Sequence, residues 1–256
     1  LTARYGSYYE GDGDTMEVSG NVGMPLTKDG FVNLSFQYKN ADATSRSVQR
    51  PDAAGFIAAG VSGVGDPAQI WGSPEVNDDI TIFANVGLDL GNDNEAYMFG
   101  NFSERDVRGG FYYRNPHTRG GVYSNDGGDS LLIGDVAQAG GADRTCQPVA
   151  ITSNNVLTQD NYIDNVANND NCFAFNQIAP GGFTPNFGGN IVDTSITMGT
   201  RGELDNGVMY DVSGSVGMNE SSYVIYNTVN SSLGIDTPRD FNPGKHKQLE
   251  KTFNLD

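Results

Sequence analysis

The clearest alternation of apolar and polar residues runs through positions 195–218 and is interrupted once, by Asp205-Asn206-Gly207. On both sides of the interruption the apolar residues fall on even-numbered positions: Ile196, Met198, Leu204, Val208, Tyr210, Val212, Val216 and Met218. A period of two indicates a β-strand with two different faces. Asn-Gly between two such runs favours a hairpin turn, because both residues reach positive φ at low cost. The stretch therefore predicts two antiparallel strands joined by a tight turn.

The same period predicts strands over 2–9, 15–26, 32–39, 79–90, 96–114 and from 249 to the last residues. A short helix is expected over 52–59, inside a connection whose prolines argue against central strands. The predicted connections alternate in length along the chain. Short turns at 27–30, 91–95 and 205–207 are separated by long, irregular connections at 41–78, 114–194 and 219–247.

Alternating strands joined by short turns at one end and long loops at the other are typical of outer-membrane β-barrels. We therefore predict an all-β chain that forms an antiparallel transmembrane β-barrel region of about eight strands. A soluble β-sandwich with irregular insertions is the alternative. On the barrel hypothesis Met198, Leu204, Tyr210 and Val212 belong to the lipid-facing band, and Arg201, Glu203 and Asp211 face the lumen.

The composition of the chain argues against some classes of binding partner. The net charge of −17 and the pI near 4.2 argue against binding nucleic acid or an anionic surface through a basic patch. The mean hydropathy of −0.42 is too low for a helical membrane protein, and no run of 18 apolar residues occurs. A transmembrane barrel agrees with such averages, because its lumen face and its loops are polar.

The chain has two cysteines, Cys146 and Cys172, in the longest predicted connection. Two cysteines in a loop of an exported protein usually form a disulfide, which here would add roughly 3–4 kcal/mol on the chain-entropy model. Two unpaired thiols in a cytosolic chain are the alternative.

Seven strings of residues resemble the barrel region of TonB-dependent outer-membrane receptors. They are EGDGD (10–14), ADATSRSVQR (41–50), DPAQIWGSPEV (66–76), GGFYYRNPHTRGGVY (109–123), NCFAFNQIAPGGFTPNFGG (171–189), RGELDNG (201–207) and YNTVNSSLGIDTPRDFNPG (226–244). The TonB box and plug domain that precede the barrel in this family do not occur in these residues. Because the family barrel has 22 strands, the resemblance implies that residues 1–256 are an arc of one larger barrel domain. A complete eight-stranded barrel is the alternative.

The resemblance implies active, TonB-dependent transport of a large solute, such as a siderophore, cobalamin or a carbohydrate, at the bacterial outer membrane. The implied partners are outer-membrane lipid and lipopolysaccharide, the extracellular solute, and TonB only through the plug. A passive porin and a soluble secreted protein that binds glycan or a protein partner are the alternative functions.

No catalytic pattern occurs, so we expect neither an enzyme nor a cofactor. His117 and His246 are isolated and lie in predicted connections. Acidic pairs at Asp12 and Asp14 and at Asp126 and Asp129 lack the spacing of an EF-hand, and solvated acidic loops are the favoured interpretation.

Aromatic and arginine residues in or beside the long connections are the candidates for contact with a solute: Trp71, Tyr112, Tyr113, Arg114, Arg119, Phe183 and Phe187. Aromatic rings bury a large area at low entropic cost, and arginine offers a planar fork to carboxylate or phosphate. Aromatic residues at strand ends also anchor barrels at the membrane interface, and this is the alternative role of Tyr112 and Tyr113.

Overall fold

The computed structural model describes residues 1–256, and its largest unit is one antiparallel sheet of eight strands. The strands are β1 (Thr2–Gly6), β2 (Thr15–Thr27), β3 (Gly30–Ala41), β4 (Glu75–Gly91), β5 (Asn94–Gly110), β6 (Gly134–Asp135), β7 (Cys172–Phe173), β8 (Asn186–Glu203), β9 (Met209–Tyr226) and β10 (Phe241–Leu255). The short strands β6 and β7 pair only with each other, and the other eight form the sheet in chain order. The all-β prediction is therefore confirmed.

The eight strands do not close into a barrel, because β1 and β10 do not pair and form the two edges of the sheet. The alternative of a complete eight-stranded barrel is thus not what these strands form. The α-helices are short: α1 (Pro51–Ala58), α2 (Val136–Ala139) and α3 (Asp160–Tyr162). Helix α1 agrees with the helix predicted at 52–59. No helix is long and apolar enough to cross a membrane.

The short turns lie where the sequence predicts them, at 28–29, 92–93 and 204–208, and together they form the turn edge of the sheet. The long connections are shorter than predicted and run over 42–74, 111–185 and 227–240. The strands continue beyond the point where the alternation of apolar and polar residues stops. At Asn219 and Glu220, for example, both faces are polar but the backbone pairing of β8 with β9 continues. The strand predicted at 2–9 ends at Gly6, after which residues 7–14 turn back toward β2.

Cross-strand register places most apolar strand residues on one face, which we call the apolar face. It comprises Ala3, Tyr5, Met16, Val18, Val22, Met24, Val32, Leu34, Phe36, Tyr38, Ile80, Ile82, Ala84, Val86, Leu88, Ala96, Met98, Phe102, Val192, Ile196, Met198, Tyr210, Val212, Val216, Met218, Leu249, Phe253 and Leu255. Nothing packs over this face, and Phe36 and Ile82 are each 47% exposed.

The opposite face, called the polar face, carries mainly hydroxyl, amide and charged side chains, which bond across the strands. Thr197 and Ser215 lie 2.8 Å apart, and Asn219 donates to Asp193 at 2.7 Å. Two groups of residues were predicted to fall on opposite faces, and they do. Met198, Tyr210 and Val212 lie on the apolar face, and Arg201, Glu203 and Asp211 lie on the polar face. Leu204 differs from its prediction, because it lies in the turn after β8.

The apolar face has a defined height. On β4 it extends from Ile80 to Leu88, which is about 27 Å along the strand at roughly 3.4 Å per residue. Toward the long connections it gives way to charged residues, such as Glu104 on β5 and Glu220 on β9.

Tyrosines stand at the margins of the apolar face and direct their hydroxyl groups to polar partners. Tyr38 donates to Asp78 at 2.8 Å at the edge near the long connections, and Tyr210 donates to Asn94 at 2.7 Å at the turn edge. Such amphipathic rings suit a boundary between an apolar and an aqueous phase.

All buried hydrophobic residues lie between 53 and 183, in the connections and not on the long strands. Connections 7–14, 42–74, 111–185 and 227–240 share one edge of the sheet, and we call them the loop layer. The chain therefore has a folded, compact loop layer and a sheet whose apolar face has no protein core.

Candidate functional site

The loop layer is held together by hydrophobic clusters and one disulfide. The largest cluster surrounds the disulfide between Cys146 and Cys172, whose Cα atoms are 5.7 Å apart: its other members are Leu131, Val149, Val156, Tyr162, Val166 and Ala174. The predicted disulfide is thus confirmed.

Asp135 organises the backbone beside this disulfide. Its carboxylate accepts hydrogen bonds from the backbone N–H groups of Thr145 (2.7 Å), Cys146 (2.9 Å) and Gln138 (3.1 Å). These bonds, led by that from Cys146, lower the pKa of Asp135 to about 2.

Separate connections are linked by polar contacts, so the loop layer is one continuous body. Arg46 Nη2 lies 3.1 Å from a carboxylate oxygen of Glu10 and 2.9 Å from Asp12 Oδ1, which joins connection 42–74 to connection 7–14. Asn115 donates to Asp52 at 2.8 Å, which joins helix α1 to the longest connection. Asp12 is therefore part of an ion pair with Arg46.

Two of the predicted ligand residues meet on the exposed surface of this layer. The rings of Trp71 and Tyr112 are in edge-to-face contact with centroids 4.8 Å apart, and the ring of Phe111 lies 5.5 Å from Tyr112. Each of these three rings is between 42% and 50% exposed. Arg114 places its guanidinium carbon 5.4 Å from the centroid of Phe111. We call Trp71, Phe111, Tyr112 and Arg114 the aromatic cluster.

Tyr113 and Phe183 have a different position, because both are buried inside the loop layer. Tyr113 is 8% exposed, and its hydroxyl donates to the carbonyl of Gly181 at 2.6 Å, while burial raises its pKa. Phe183 is 6% exposed and packs in a second cluster with Tyr123 and Phe175. The two residues pack inside the loop layer and also line a cavity of about 340 Å³, and their contact with solute stays a prediction. Their aromatic character alone did not distinguish the two roles.

Phe187 lies on β8 and faces the polar side of the sheet, where it is 43% exposed. Its ring stacks on Tyr223 of β9 with a centroid distance of 5.8 Å. Both rings, together with Phe111, line a cavity of about 310 Å³ directly below the loop layer. The cavity connects the predicted Phe187 with the aromatic cluster.

Gly189 is one of the residues that line this cavity. It lies opposite Val107 on β5 and Tyr223 on β9, and Phe187 and Ile191 are its neighbours on the same face. A Cβ at this position would collide with the backbone carbonyl of Ser222, so glycine allows the close approach of β9, and four apolar side chains surround it. Val107, Ile191 and Tyr223 are not among the predicted ligand residues, and Ile191 and Tyr223 fall within the predicted connections 114–194 and 219–247.

The remaining predicted residue, Arg119, is exposed and closes a turn in which its backbone N–H donates to the carbonyl of Asn115 at 3.2 Å. A larger cavity of about 470 Å³ lies at the turn edge, around the Arg201–Glu95 ion pair of 3.0 Å. It is lined mainly by acidic side chains and contains none of the predicted ligand residues.

Residues with catalytic or metal-binding chemistry do not converge. His117 is half-buried against Phe56 with ring centroids 4.7 Å apart, whereas His246 lies on strand β10. The carboxylate of Asp126 accepts hydrogen bonds from the hydroxyl groups of Ser124 and Ser130. No three His, Cys, Asp or Glu side chains are grouped closely enough to hold a metal ion.

Comparison with known proteins gave no assignment. No family model matches the chain, and no curated protein matches it.

Proposed function

We propose that this chain forms part of the wall of an outer-membrane β-barrel receptor of the TonB-dependent class, which takes up a large solute. The uncovered apolar face carries the proposal. It is about 27 Å long along β4, from Ile80 to Leu88, close to the length of about 9–11 residues with which a tilted strand crosses a membrane. In this arrangement the face contacts lipid and the acyl chains of lipopolysaccharide.

The size of the apolar face argues against the alternative of a soluble secreted protein. Seven strand spacings of about 4.8 Å give a width near 34 Å, so the face covers roughly 900 Å². Exposed apolar patches on soluble monomers are typically about 300–600 Å². At about 25 cal/mol per Å², removing the face from water would be favourable by roughly 20 kcal/mol, which is a strong driving force for contact with lipid.

The remaining features of the chain fit a barrel wall whose apolar face contacts lipid. The polar face then lines the lumen, the turn edge lies in the periplasm, and the loop layer lies outside the cell. The disulfide agrees with an oxidising, extracytoplasmic location. The aromatic cluster shares Phe111 with the cavity below it, so a solute can contact both the outer surface and the lumen face. The proposal of active transport rests on the resemblance of the seven strings to TonB-dependent receptors. In that class TonB acts through a plug domain.

The test compares cells that produce the protein with cells that lack its gene. We expect the protein in the outer-membrane fraction and at least one solute of the medium, followed by mass spectrometry, to be depleted only by producing cells. A protonophore should abolish the depletion. Depletion that persists without the proton gradient would instead indicate a passive porin. Recovery of the protein from the soluble secreted fraction would contradict any membrane role.

A further inference from the structure

Arg114 and Arg119 have no acidic partner. Acidic residues outnumber lysine and arginine 32 to 15 in this chain, and Arg46, Arg50 and Arg201 each pair with a carboxylate. No carboxylate lies within 4.0 Å of Arg114 or Arg119. Four other arginines, Arg105, Arg108, Arg144 and Arg239, likewise have no such partner, and Arg114 is distinguished from them because it belongs to the aromatic cluster.

An acid close by in the loop layer is already engaged elsewhere. Asp52 lies 2.9 Å from Arg50 and accepts a hydrogen bond of 2.8 Å from Asn115, the neighbour of Arg114. It also accepts from the backbone N–H of Ala53 at 2.9 Å. The carboxylate of Asp52 is therefore committed to the junction between helix α1 and connection 111–185.

The surrounding structure holds Arg114 in place. Its backbone exchanges two hydrogen bonds with Phe183, at 2.7 and 3.2 Å, which ties it to the buried part of the loop layer. Its guanidinium lies over Phe111 at 5.4 Å. A turn in which the backbone N–H of Arg119 donates to the carbonyl of Asn115, the neighbour of Arg114, at 3.2 Å places both arginines in one short segment. Burial and, after it, the charge of Arg119 lower the pKa of Arg114. An anion bound by both guanidinium groups would offset their like charges.

Building on the proposed function, we propose that the solute bound at the aromatic cluster carries a carboxylate or phosphate group, which Arg114 and Arg119 hold, beside an apolar ring system. Guanidinium groups bind both anions through paired hydrogen bonds. Phe111 is shared by Arg114 and the 310 Å³ cavity, so the anionic group and the ring system of one molecule can be bound together.

The test uses matched small probes and the natural fluorescence of the protein. Trp71 is the single tryptophan of the chain and belongs to the aromatic cluster, so its emission reports binding there directly. Purified protein in detergent is titrated with benzoate, phenyl phosphate and benzamide at constant ionic strength. These probes share one ring and differ in charge. The variant Arg114→Gln/Arg119→Gln is compared with Lys28→Gln, which removes a positive charge at the turn edge.

We expect at least one of the two anionic probes to bind about tenfold more tightly than benzamide, which corresponds to about 1.4 kcal/mol. The double variant should lose this preference but keep its benzamide affinity, which also shows that it is folded, and Lys28→Gln should retain the preference. Equal affinity for all probes, or a preference that survives in the double variant, would overturn the proposal. Because binding is measured without transport, these results are separable from a failure of the uptake experiment.

Discussion

Lys251 on β10 lies directly opposite Val216 on β9, in the middle of the apolar face. Its neighbours on the same face of β10 are Leu249 and Phe253. A lysine near the midplane of a bilayer costs about 2–4 kcal/mol in outer-membrane barrels, less where its long side chain reaches the interface. If the apolar face contacts lipid, Lys251 is therefore a destabilising residue in the membrane.

Replacing Lys251 by Leu should stabilise the protein in lipid vesicles by about 2 kcal/mol, because the charge is removed from hydrocarbon. The free energy of unfolding is measured in urea. Lys39→Leu is the matched control, since Lys39 lies opposite Glu17 and Asp79 on the polar face, and this change should bring no gain. A Lys251→Leu protein that is no more stable than the parent would count against lipid contact at this position.

Removing the disulfide should weaken the loop layer selectively. The bridge joins residues separated by 26 positions, and the chain-entropy model gives about 3.5 kcal/mol for such a loop. In the Cys146→Ser/Cys172→Ser variant we expect proteases to cleave within connection 111–185 much faster while the strands stay protected. Peptide mapping by mass spectrometry locates the cuts. Equal resistance in both proteins would show that the hydrophobic cluster suffices.

Acidification should loosen the contact between helix α1 and connection 111–185. His117 packs on Phe56, and burial lowers its pKa below the ordinary value of 6.5. The unfolded chain therefore binds a proton at higher pH than the folded chain, so the stabilisation is complete above about pH 6.5 and declines as the pH falls toward the folded pKa. The protection factors of residues 51–58 and 113–119, which correct hydrogen exchange for its intrinsic dependence on pH, should be lower at about pH 5.5 than at about pH 7.5.

The variant His117→Gln should lose most of this pH dependence, and His246→Gln, on exposed strand β10, should retain it. If the dependence is the same in both variants, His117 is not its source.

Asp135 gives a second pH response at lower pH. Its folded pKa of about 2 lies below the ordinary 3.8, so its contribution is present above about pH 4 and is lost as the pH falls toward 2. Asp135→Asn should expose the backbone N–H groups of Thr145 and Cys146 to faster hydrogen exchange at neutral pH. Unchanged exchange would show that these bonds do not hold the segment.

The sequence predicted the sheet well, because the period of two directly reflects which side chains share a face. Ile196, Met198, Val212 and Val216 fall on one face as their even numbering indicates. The strand ends were less predictable. From Asn219 to Ser222 both faces are polar, so the alternation stops there while the backbone pairing continues to Tyr226.

The candidate site was predictable only in part. Trp71 and Tyr112 were selected for their residue type, and their contact at 4.8 Å depends on how connection 42–74 folds against connection 111–185. Tyr113 follows Tyr112 in the chain but turns into the loop layer. Residue type could not separate these neighbours, because a connection without regular period gives no indication of which side chain turns inward.

In the proposed function the apolar face contacts lipid and the polar face does not. Phe102 and Phe99 on β5 point to these opposite faces and are similarly exposed, at 37% and 40%. In a Trp71→Phe background, Phe102→Trp and Phe99→Trp each place one tryptophan on one face. Reconstitution into vesicles of lipids with brominated acyl chains, which quench tryptophan on contact, should strongly quench the tryptophan at 102 and barely affect the one at 99. Equal quenching at both positions, or stronger quenching at 99, would contradict the account.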